Sequence, residues 1–164
     1  MSRLLISDAN ILIDLEVGGL MLELFKLPYQ IQVPDMLFAD ELEAAHGYLL
    51  DHGLQLGELS PSSMAEVETL VIKYKQPSRY DCFALMLAKQ EQCPLLTGDK
   101  NLRSAAESEQ VDVKGTLWVV ESLVSHGIIN VATARTAYAL MKENGRRLPW
   151  EHAETRLQTI QSGN

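Results

Sequence analysis

Two short apolar runs, Arg3–Ser7 and Pro94–Thr97, lead into aspartates, Asp8 directly and Asp99 after Gly98, and the chain around them keeps returning to helical spacing. A few apolar residues stopped abruptly by a polar one suit a strand buried on both faces that ends at the rim of a sheet. Gln30–Val33, closed by Pro34, and weaker runs at Leu54–Leu59 and Val111–Val113 add further strands. Between the first two strands, Ile11–Glu16 and Leu20–Lys26 read as short helices parted by the breaker Gly18-Gly19. Leu37, Phe38, Leu42, Ala45, Leu49 and Leu50 recur at helical spacing and predict one helix over Asp35–His52. Ser60-Pro61 supplies an N-cap and a first-turn proline for a helix to about Lys75, and Ser63-Met64-Ala65-Glu66 repeats the capping pattern nearby. Tyr80–Ala88 is apolar almost all round and predicts a central, buried helix. Helices near Leu117–Ser125, Ala132–Glu143 and Trp150–Ile160 complete the chain. Strands alternating with helices imply an α/β fold with a parallel sheet covered on both faces. Sites in such folds lie beyond the carboxyl ends of the strands, so Asp8 and Asp99 belong on one edge.

Composition narrows the function. The chain has 164 residues, 46% of them hydrophobic, which is the length and apolar content of one domain, 1–164, with a proper core. No apolar run approaches the roughly 20 residues of a membrane span, and Asp8 interrupts the N-terminal run before a signal-peptide core forms, so a cytoplasmic protein is expected. A net charge of −8 opposes generic coating of nucleic acid, and any contact with RNA or DNA must be local. Cys82 and Cys93 lack metal-site spacing and read as buried, reduced thiols. His46, His52, His126 and His152 show no paired spacing either, and phosphate loops, dinucleotide fingerprints and serine elbows are all missing.

The carboxylates remain. Each has an ordinary explanation: Asp8 and Asn10 as helix caps, Ser78-Arg79-Tyr80-Asp81 as a capping box, Gly98-Asp99-Lys100-Asn101 as a turn, Asp40 and Glu41 as solvated helix charges. Their joint placement says more. Asp8 and Asp99 end strands, Asp81 begins the helix that must pack on that sheet, and Glu41 sits on a helix crossing the same edge with Leu42 and Leu49 facing in. Carboxylates gathered so closely repel and take up protons unless a cation is shared. Magnesium and manganese prefer such oxygen ligands, and the chemistry they serve is hydrolysis of a phosphate ester.

The order Leu4-Leu5-Ile6-Ser7-Asp8-Ala9-Asn10, Val33-Pro34 with Asp40-Glu41-Leu42, Ser78-x-x-Asp81-x-x-Ala84-Leu85, and Leu95-Leu96-Thr97-Gly98-Asp99-x-x-Leu102-Arg103 resembles the PIN-domain nucleases, including toxins of bacterial and archaeal toxin and antitoxin pairs. The match spans about residues 3–125, with a helical extension over 130–161. The resemblance implies a three-layer α/β/α fold, dependence on Mg2+ or Mn2+, single-stranded RNA as substrate, an antitoxin as partner and a homodimer. By position it implies Asp8, Glu41, Asp81 and Asp99 as acidic metal ligands and catalytic groups, with Asn10, Ser7 and Thr97 in support. Ala9 stands where many relatives carry a hydroxyl, and the spacing from Pro34 leaves Asp40 as a competitor to Glu41, with Leu42 favouring Glu41.

Gly145-Arg146-Arg147-Leu148 is the densest basic spot, readable as a solvated loop or as a contact for substrate phosphate. Trp150, Ala153, Leu157 and Ile160 share one helical face, which docks on the same domain or closes a dimer. The enzyme reading is therefore a metal-dependent endoribonuclease, and the alternative is a PIN-like binding or regulatory module with little catalysis, favoured by the negative charge and by Ala9. A phosphatase would want an acid at Asn10, and a phosphoacceptor domain would want paired acids near the first strand.

Overall fold

In the computed structural model, which describes residues 3–162, five strands form one all-parallel sheet. They are β1 (Arg3–Ser7), β2 (Tyr29–Pro34), β3 (Gln55–Gly57), β4 (Leu95–Leu96) and β5 (Val113–Lys114), in the order β3-β2-β1-β4-β5. The described helices are α1 (Ala9–Val17), α2 (Asp35–Leu37), α3 (Glu43–His46), α4 (Pro61–Lys73), α5 (Arg79–Glu91), α6 (Lys100–Ser108), α7 (Thr116–Ser125), α8 (Val131–Glu143) and α9 (Trp150–Ser162). None is long and apolar enough to cross a membrane.

Alternation along β1 and β4 builds the three layers, because successive side chains of a strand point to opposite faces. Leu5 and Leu96 join the core beneath α1, α7, α8 and α9, while Ile6 and Leu95 join the core beneath α4, α5 and α6. The register sets Ile6 beside Leu95 and Ser7 beside Leu96, which puts Leu96 on the same face as Leu5, two residues before Ser7. As its apolar run requires, α5 buries every residue from Cys82 to Ala88. It lies so close to the sheet that a Cβ on Gly57 of β3 would stand 2.6 Å from the Leu87 side chain, hence a glycine there. Ala153 and Leu157 of α9 are buried in the same core as α7 and α8, so the C-terminal face docks on its own domain.

Five expectations need correction. The stretch 35–52 is not one helix: α2 passes into a wide π turn at Phe38–Leu42, then α3, then a 3₁₀ segment at Gly47–His52. The apolar spacing finds the inward side at Leu37, Phe38, Leu42 and Leu49, which are buried, but Ala45 and Leu50 of the same expected face are exposed, because the spacing does not specify the pitch of each turn. Likewise Leu20–Lys26 shrinks to a 3₁₀ turn at Glu23–Lys26. Conversely, the turn expected at Gly98–Asn101 opens directly into α6, whose stripe is Leu102, Ala105 and Ala106. Ser60 caps α4 through the Ser63 amide, leaving the second capping pattern inside the helix, and Cys93 is only partly buried.

Candidate active site

The strand order reverses between β1 and β4, the one place in such a sheet where loops leave in opposite directions and open a crevice. Pairing continues past the strand ends there: the Asp8 amide donates to the Leu96 carbonyl at 3.1 Å, and the Thr97 amide to the Lys114 carbonyl at 3.0 Å. Asp8 and Asp99 therefore emerge side by side at the sheet's carboxyl edge. Helix α5 runs back against the sheet and brings its first turn, with Asp81, to the same edge.

All three aspartates are also helix caps. Asp8 Oδ1 accepts the Ile11 amide at 3.0 Å, Asp99 Oδ1 accepts the Leu102 amide at 2.8 Å, and Asp81 Oδ2 accepts the Ser78 amide at 2.9 Å while Ser78 Oγ accepts from the Asp81 amide. The capping and site explanations are thus compatible, because each cap engages one carboxylate oxygen and leaves the other free. The positive ends of α1, α5 and α6 face the cluster and partly offset its charge. Asp8 Oδ2 is the exception in cost: it is buried with no hydrogen-bond partner among the described residues.

Electrostatics tie the four carboxylates together. Burial drives the Asp8 carboxyl up to about 7, and the charges of Asp81 and Asp14 push the same way. The Thr97 hydroxyl and the Ile11 amide oppose this, although the hydroxyl makes no ordinary hydrogen bond to Oδ2. Burial also raises Asp81, with Asp99 adding to it, and raises Glu41, with Asp81 and Asp40 adding. Glu41 is exposed, on the π turn, whose extra backbone width lets Phe38 and Leu42 both face inward. Its neighbour Asp40 accepts the Tyr80 hydroxyl at 2.5 Å, whereas the Glu41 carboxyl lies near enough to Asp81 to feel its charge.

Among the described residues, no group of three or more His, Cys, Asp or Glu side chains is arranged to hold a metal ion as it stands. The donor chemistry fits Mg2+ or Mn2+ all the same. The available ligands are hard carboxylate oxygens, and the orphaned Asp8 Oδ2 lacks the positive partner that a buried carboxylate requires.

The supporting residues separate. Thr97 Oγ1 accepts the Asp99 amide at 3.1 Å and stands between Asp8 and Asp99. Ser7 turns its hydroxyl to the Asp8 backbone carbonyl, not to a carboxylate. Asn10 is exposed and lines a cleft beside Asp99. Arg146 is not simply solvated: its Nε donates to Asp14 Oδ1 at 2.5 Å, while Arg147 stays exposed.

Asp14 itself was outside the candidate set. It is buried, also accepts the Thr116 hydroxyl at 2.7 Å, and acts on Asp8 through space. The signal for it was a lone acid inside the apolar stretch Ile11–Leu15.

A family model described as a PIN domain matches residues 4–162. No curated protein matches the chain. Among solved structures, a PilT N-terminus domain protein from the hyperthermophilic archaeon Sulfolobus solfataricus P2 is similar at 14% identity and a TM-score of 0.48, over 75% of this chain and 92% of that one.

Proposed function

The chain belongs to the PIN-domain family, a nuclease-type fold, and on that premise we propose that it is a metal-dependent endoribonuclease acting on single-stranded RNA. The observation that carries the proposal is the buried, unpartnered Asp8 Oδ2 at the switch point of the sheet, coupled to Asp81 and so to Asp99 and Glu41. Bound Mg2+ or Mn2+ would lower the pKa of water and polarise the phosphate. Asp8, Asp81 and Asp99 would hold it, since each cap engages only one of the two carboxylate oxygens. Exposed Glu41 is placed to ligate as well or to accept a proton from the attacking water, and its raised affinity for protons suits that role. Thr97 orients Asp99 through its amide. The purified protein should cleave single-stranded RNA with manganese and stop with chelator, and Asp8→Asn should abolish cleavage while preserving the cap. Cleavage that survives Asp8→Asn combined with Asp99→Asn removes the proposal.

A second reading, a binding module with little catalysis, has one observation in its favour: the carboxylates are not arranged as a ready ligand set. Calorimetric titration with manganese separates the two, since only a competent site takes up the ion with loss of that uptake in Asp8→Asn.

A further inference from the structure

Beside Asp99 and Asn10 the molecule opens a cleft of about 1210 Å³. Its lining comes from the first turn of α6, the β5–α7 segment Val113–Trp118 and the C-terminal loop Gly145–Pro149, with Arg156 of α9. In a chain of net charge −8 this cleft is lined by six cations, Lys100, Arg103, Lys114, Arg146, Arg147 and Arg156, against three acids, Asp14, Asp99 and Glu151. Two of these have carboxylate partners, Arg146 with Asp14 and Arg156 with Glu121. Among the described residues Lys100, Arg103, Lys114 and Arg147 make no ion pair; outside the cleft Arg79 and Arg135 are paired with glutamates, while Arg3, Lys75 and Lys142 are unpaired but not gathered on one surface with the others. Unpaired cations crowded together repel one another, and an anion in the cleft relieves them.

The cleft also holds an aromatic surface. Trp118 is partly exposed, its ring is braced by Tyr29 at 5.8 Å between centroids, and Lys114 Nζ lies 5.9 Å from its centre. The Arg103 guanidinium lies against Gly115, where an added Cβ would stand 3.3 Å from it. Helix α7 begins at that glycine with no side-chain cap. Cations along a groove with an aromatic face are what a single-stranded nucleic acid needs: phosphate contacts for position and a ring for a base to stack on.

We propose that this cleft is the track that holds the RNA strand, with Lys100, Arg103, Lys114 and Arg147 on phosphates and Trp118 beneath a base. The proposal rests on the ribonuclease reading for the identity of the anion. Asp99 is the one candidate carboxylate that also lines the cleft, so a strand lying in it runs beside the carboxylate edge. The net negative charge elsewhere restricts binding to this one face.

Binding measured apart from cleavage tests the proposal. Fluorescence anisotropy in EDTA, using a labelled oligouridine about 12 nucleotides long, compares the full native chain with Lys114→Glu, Arg147→Glu and Lys75→Glu. Lys75 is exposed and outside the cleft, so it controls for charge reversal as such. Lys114→Glu and Arg147→Glu should each weaken binding about tenfold and lower the slope of log K against log salt by about 0.7 per lost contact. Lys75→Glu should leave both within about twofold, and thermal melts should confirm that all three fold. The track is overturned if the native chain does not bind the oligomer, if the three variants behave alike, or if a duplex of the same length binds as well as the single strand. Cleft-dependent binding by a chain that never cleaves would sink the nuclease reading and keep the track.

Discussion

Asp8 carries two obligations at once, since Oδ1 caps α1 and Oδ2 is buried without a partner. With the folded-state value near 7 and an unfolded value near 3.9, the folded state binds more protons between those limits. Stability of the metal-free protein must then fall as pH rises from about 4 to about 7, by up to about 4 kcal/mol for a shift of this size. Melts in chelator at pH 5 and pH 8 should show it, and Asp8→Asn, which keeps the cap and loses the charge, should flatten the dependence. An unchanged slope in Asp8→Asn would assign it to other groups. Asp14 is a buried acid in the opposite situation, supplied with a partner in Arg146. Arg146→Met leaves that charge unanswered and should cost about 3 kcal/mol in urea unfolding, against less than about 1 kcal/mol for Arg147→Met. Equal costs would mean that the Asp14 pair contributes little.

The helices do the positioning. Asp81 reaches the edge because Ser78 and Asp81 close a reciprocal capping box at the start of an all-buried helix. Ser78→Ala should cost about 1 kcal/mol in stability and also weaken manganese binding, because it frees the Asp81 side chain to move. Lost stability with unaltered manganese affinity would show the cap to be structural alone. Elements were legible where one signal dominated: β1 and β4 from apolar runs stopped by polar residues, α5 from its unbroken apolar stretch, its start from Ser78 and Asp81. The broken stretch after β2 was not, since buried residues at 37, 38, 42 and 49 are compatible with the pitch of an α-helix and of a π turn. Helix α6 gives only a faint sequence signal because its stripe is one leucine and two alanines.

Across the whole molecule, sequence order determines which acids share an edge, and this much of the candidate site is legible in the sequence alone. The cleft is not, because its cations come from α6, β5, the C-terminal loop and α9, and the Asp14–Arg146 pair joins residues 132 positions apart. Binding of an ion to the folded state alone should raise stability by RT ln(1 + [L]/K_d), about 2.7 kcal/mol at a hundredfold excess. Manganese should therefore raise the melting temperature of the native protein by several degrees near neutral pH and leave Asp8→Asn almost unmoved. Equal stabilisation of both would place the ion elsewhere. The most direct measurement is an anomalous difference map from a crystal soaked in manganese. The account predicts a peak at ligating distance from Asp8 Oδ2, with Asp81 and Asp99 turned toward it. A map without a peak there, or with its manganese bound away from these three carboxylates, contradicts it.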